Sequence, residues 1–61
     1  MLKITFLPKK NTMAKPVEYL VNQYNQELAI KLAEAEFLAD YNKTKRQYFD
    51  RIAVSEPRIL Q

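Results

Sequence analysis

Pro16-Val17-Glu18-Tyr19-Leu20-Val21-Asn22-Gln23-Tyr24 opens the stretch on which the fold turns. Pro16 suits the first position of a helix, where a missing N–H costs little. From Val17 onward the apolar residues follow a helical period. Placed about 100° apart, Val17, Leu20, Val21, Tyr24, Leu28, Leu32, Ala35, Leu38 and Ala39 share one broad stripe. Residues 26–41 are rich in Ala, Leu, Glu and Lys, all good helix formers, and Glu27 and Lys31 stand four apart in the favourable order. The pattern predicts one long amphipathic helix over about 16–41. A second stripe, through Tyr19, Ile30, Phe37 and Tyr41, lies nearly opposite the first. A helix apolar on two sides is rarely a simple surface helix. The first stripe (Val17, Leu20, Val21, Tyr24, Leu28, Leu32, Leu38) is expected to form the core or an oligomer seam. The second is expected to meet a partner.

Upstream, Leu2-Lys3-Ile4-Thr5-Phe6-Leu7 alternates apolar and polar residues, which predicts a short strand over 2–7 with Leu2, Ile4 and Phe6 on one face. Pro8 ends it, and 8–15 reads as a basic loop. Downstream, the main stripe fails after Tyr41. Thr44-Lys45-Arg46-Gln47 matches a capping box, so a turn near Asn42–Lys43 and a second short helix over about 45–53 are expected, with Tyr48, Phe49 and Ile52 on its apolar face. One unbroken helix over 16–53 is the rival. Pro57 ends any helix, and Arg58-Ile59-Leu60-Gln61 reads as part of an extended tail over 54–61, either frayed or paired as an extra strand. The expected fold is mainly α, in one small domain over 1–61.

There is no glycine. Tight turns with positive φ normally use it, so loops must rely on asparagine, and Asn11, Asn22, Asn25 and Asn42 are the candidates.

A chain of 61 residues buries only about 60% of its unfolded surface, and small domains usually need a staple. Cys and His are absent, which removes disulfides, zinc and iron–sulfur sites and His- or Cys-ligated haem. Oligomerisation is the staple that remains, and a homodimer is favoured. No cofactor or metal is expected. The apolar run Ile4–Leu7 is too short for a signal peptide, and nothing approaches the roughly 18 apolar residues of a membrane span. The expected setting is cytoplasmic.

Catalytic residues are scarce. The single serine, Ser55, sits beside Glu56, which is no nucleophile–base arrangement. Glu36 and Asp40 share a helical face, but they read as a solvated acidic patch partly relieved by Lys43 rather than a Mg²⁺ site. The chain is not expected to be an enzyme. Charge is segregated: 1–16 carries four Lys and no acid, 17–40 five acids and one Lys, and 41–61 five bases and two acids. Lys3, Thr5, Lys9, Lys10, Lys45 and Arg46 are the candidate nucleic-acid contacts, with Tyr48 and Phe49 among the bases as possible stacking groups.

The expected strand–helix–helix order resembles the ribbon-helix-helix DNA-binding dimers. That resemblance covers the order of elements and no specific motif, and the first helix is longer than in that family. It implies two N-terminal strands paired across a dimer, with Lys3 and Thr5 facing the major groove. Three functions follow as expectations. The first is a protein–protein interaction module, such as a regulatory or inhibitory factor of the kind phages and plasmids encode. The second is a dimeric nucleic-acid-binding regulator, and the third a small subunit of a larger assembly.

Overall fold

The computed structural model describes residues 1–56, so the expected tail Arg58–Gln61 lies outside the described residues. The chain folds as β1 (Leu2–Pro8), β2 (Val17–Val21), α1 (Gln26–Asp40), a single turn α2 (Lys43–Arg46) and β3 (Phe49–Ser55). The three strands form one antiparallel sheet in the order β2-β1-β3. This is a small α/β fold, not the mainly α one expected, with about a third of the chain in strands.

β1 follows its alternation. Leu2, Ile4 and Phe6 are buried, and Lys3, Thr5 and Leu7 point to the other face. A central strand needs ladder partners on both edges, because unpaired N–H and C=O groups are costly once buried. Residues 17–21 supply the first partner and are not the start of a helix. Val17, Tyr19 and Val21 lie opposite Phe6, Ile4 and Leu2. The segment V-E-Y-L-V alternates and is rich in β-branched and aromatic residues. Pro16 stands before an edge strand, another position that tolerates it. The turn leaving β1 uses Asn11 at φ 69, the left-handed region where glycine would otherwise serve. There Thr12 donates to the Lys9 carbonyl through both its N–H, at 3.4 Å, and its Oγ1, at 2.8 Å.

α1 begins ten residues later than the periodicity suggests, because Asn25 caps it. Its Oδ1 accepts the Leu28 N–H at 3.1 Å. The helix buries Ala29, Ala33 and Phe37 against the sheet. Asn42 then caps α2, its Oδ1 accepting the Lys45 N–H at 2.9 Å. The turn expected near Asn42–Lys43 is therefore present, but Asn42 is the cap and not Thr44. The helix it starts lasts one turn, so neither the expected helix over 45–53 nor the unbroken helix over 16–53 forms.

Residues 49–55 form β3 instead. Its register against β1 slips between Leu7 and Pro8, so Phe6 faces Ile52 and Pro8 faces Phe49. Pro8 has no N–H to give the ladder, which makes this a natural place for a bulge. The extra residue is Asp50, and Phe49 turns onto the core face in its place. Arg51 Nη2 donates to the Pro8 carbonyl at 3.2 Å across the bulge. Phe49 and Ile52 thus share a face three residues apart, a spacing that imitates a helix. Val54 and Ser55, expected in the tail, complete the strand.

Five aromatic rings close the core. Phe37 stacks on Phe6 at a centroid distance of 4.1 Å and meets Tyr19, Tyr41 and Phe49 at 6.4, 5.2 and 5.3 Å. Phe37→Ala is expected to cost about 3–5 kcal/mol. That rivals the whole stability of a domain this small, so its circular-dichroism melt should lose cooperativity. Leu20→Ala, on the uncovered face of the sheet, should stay within about 0.5 kcal/mol of the parent.

Candidate functional site

Three surfaces bear on the expected sites. The first is the outer face of α1. Because Ala29, Ala33 and Phe37 point inward, Leu28, Leu32, Ala35 and Ala39 point outward. Leu28, Leu32 and Leu38 keep 47%, 50% and 54% of their surface exposed. The stripe expected to meet a partner therefore packs on the sheet, and on α1 the stripe expected to be core or oligomer seam is not core. Phe37 is buried, and Tyr19, Ile30 and Tyr41 are half-buried against the core, so this stripe serves mainly the fold. The larger stripe splits. Val17 and Val21 face the core from β2, Leu20 projects from the opposite face of the sheet, and Tyr24 is exposed in the link before α1. Only its helical members form a continuous surface, and that surface faces solvent.

The second surface is the uncovered face of the sheet, with Lys3, Thr5 and Leu7 along β1. Lys3 Nζ lies 3.3 Å from Glu18 Oε2 on the neighbouring strand. The resemblance to ribbon-helix-helix dimers fails here. β1 has both edges paired within its own chain, so it cannot pair across a dimer, and Lys3 is shared with a carboxylate.

The third is a groove of about 600 Å³ where α1 stops short of the sheet's end. Residues 11–16 of the β1–β2 connection line one part of it. Tyr41, Lys45, Tyr48 and Phe49 line another, and Val17 contributes from β2. Of the candidate nucleic-acid contacts, only Lys45 lines this groove. Lys9 and Lys10 are exposed at the start of the connection, while Arg46 is half-buried and its Nε has no hydrogen-bond partner. The sequence pointed to Tyr48 and Phe49 but assigned them to a helix. Met13, Ala14 and Pro16 were missed and Lys15 was read only among the four lysines of 1–16, since their nearness to Tyr48 depends on β2 pairing with β1.

One acidic side chain is tied to the core. The Tyr19 hydroxyl donates to Asp40 Oδ2 at 2.8 Å, tying β2 to the end of α1. Burial, reinforced by this carboxylate, holds the Tyr19 phenol well above its ordinary value. Asp40 thus serves the fold, and among the described residues no group of three or more acidic side chains could hold a metal ion. No described helix is long and apolar enough to cross a membrane. Comparison of the chain with family models, with curated proteins and with solved structures returns no significant match.

A phenol whose folded pKa is raised contributes stability below the unfolded tyrosine pKa of about 10, and that contribution is lost as pH rises beyond it. In an ultraviolet titration one tyrosine should therefore ionise only as the chain unfolds at alkaline pH. Tyr19→Phe should remove that step, and a variant curve that retains it would contradict the assignment.

Proposed function

We propose that this chain is a non-catalytic protein–protein interaction module of regulatory type that associates through the outer face of α1, first of all with a second copy of itself. The carrying observation is the exposed row Leu28, Leu32, Ala35, Ala39 on a helix whose other face is already buried. The row advances by four, three and four residues, the spacing of a coiled-coil seam. Isolated helices of this length are marginal in water. α1 is held in place by the sheet, so association does not bear the cost of forming the helix.

Orientation follows from the flanking charges. Lys31 and Glu36 stand five apart beside the row. In a parallel pair, Lys31 of one copy lies opposite Glu36 of the other, whereas an antiparallel pair sets Lys31 near Leu38. Such charges fix register and partner choice more than affinity. Sparse catalytic groups also favour binding over chemistry: there is no Cys or His and one Ser. A cytoplasmic setting belongs to the same proposal, since a chain without cysteine draws no disulfide from an oxidising one.

Native mass measurement and sedimentation test this reading. The parent protein should be dimeric, and Leu28→Asp with Leu32→Asp should be monomeric with unchanged circular dichroism. Lys31→Glu should weaken the dimer, and adding Glu36→Lys should restore it. A double-Asp variant that stays dimeric would move the contact elsewhere, to the open edge of β3 for instance, and would sink this idea.

A further inference from the structure

The groove beside Tyr48 carries a separate inference, independent of the outer face of α1. Its volume of about 600 Å³ falls inside the usual range for ligand sites, roughly 300–1,000 Å³. Both charged residues that line it are lysines, Lys15 from the connection and Lys45 from α2, and no acid lines it. Lys9, Lys10 and Lys43 stand nearby in sequence on the same two segments. Among the described residues the ion pairs are Lys3–Glu18 and Arg51–Asp50, which leaves all five of these lysines uncompensated. The rest of the lining is largely apolar or aromatic. Phe49 and Tyr41 are half-buried against the core, while Tyr48 keeps 47% of its surface exposed. The backbone of Tyr48 is engaged, accepting from the Lys9 N–H and donating to the Lys45 carbonyl, but its ring joins none of the aromatic pairs that build the core.

We propose that this groove binds single-stranded nucleic acid, with a base stacked on Tyr48 and neighbouring phosphates on Lys15 and Lys45. Free cations beside an exposed ring match a strand that presents phosphate and base face together. A duplex matches poorly, since its base faces are hidden in the stack and only its phosphates and groove edges reach a protein. An acidic peptide would use the lysines but would gain little from the ring.

Fluorescence anisotropy with a short labelled oligo-dT strand tests this. Binding should weaken steeply between about 50 and 200 mM salt, as counterion release requires. Tyr48→Ala should lower affinity about tenfold, the effect of losing one stacked base. Lys15→Ala with Lys45→Ala should also flatten the salt dependence. Tyr48 is exposed and outside the core, and unchanged circular dichroism will confirm that its variant folds. The proposal is overturned by an absence of binding at low salt, by a duplex or a poly-glutamate peptide binding as tightly as the single strand, or by wild-type affinity in Tyr48→Ala.

Discussion

The ring of Phe37 touches every layer of this molecule. It lies flat on Phe6 of the central strand and meets Tyr19 of β2, Phe49 of β3 and Tyr41 just past the end of its own helix. With the sheet supplying the large side chains, the rest of the inward helical face must be small. Ala29 and Ala33 meet that requirement and are fully buried. Close packing explains the rule: a second row of large residues under α1 would lift the helix and open voids that Ile4 and Val21 now fill. The leucines of the helix are therefore displaced to its outer side by the bulk of the aromatics beneath it.

That displacement also explains what could be read in advance. The strand over 2–7, the break near Asn42 and, at Asn11 alone among the four asparagine candidates, the replacement of glycine at positive φ were legible, because each rests on local chemistry. Asn11 takes the positive φ, and Asn25 and Asn42 cap the two helices. β2 and β3 were not legible by periodicity. At Val17–Val21, valine and leucine spacing fits a helix and a strand alike, and only the demand of β1 for a partner decides between them. A single predicted strand in a single chain was itself the missing clue, since its two edges had to be paired by something. At Phe49–Ile52, the bulge opposite Pro8 converts a two-residue period into a three-residue step.

Of the two roles expected for the first stripe, core or oligomer seam, the core role fails on α1 for a related reason. Leucine count favoured Leu28 and Leu32, while the deciding quantity was complementarity to a sheet that had not been foreseen. The candidate sites inherit the same limit. Tyr48 and Lys45 were visible as an aromatic residue among bases, yet the groove needs Met13 to Val17 beside them. No local pattern brings those segments together; the hairpin pairing of β1 with β2 does.

A chain this short has little stability to spare, and its buried apolar core comprises only Leu2, Ile4, Phe6, Val21, Ala29, Ala33 and Phe37 among the described residues. It has no disulfide with which to add to that. Any surface that binds the folded chain and not the unfolded one therefore acts as part of its stability, by mass action. The outer face of α1 is suited to this role, because covering Leu28 and Leu32 shields the same helix that carries Phe37. On that proposal, binding there adds to the stability of a chain that already folds as a monomer. The basic groove lies beyond the end of α1, on the loop and turn that the helix does not cover. The two proposed surfaces do not overlap, so the association proposed for the helix would leave the groove open while strengthening the scaffold beneath it.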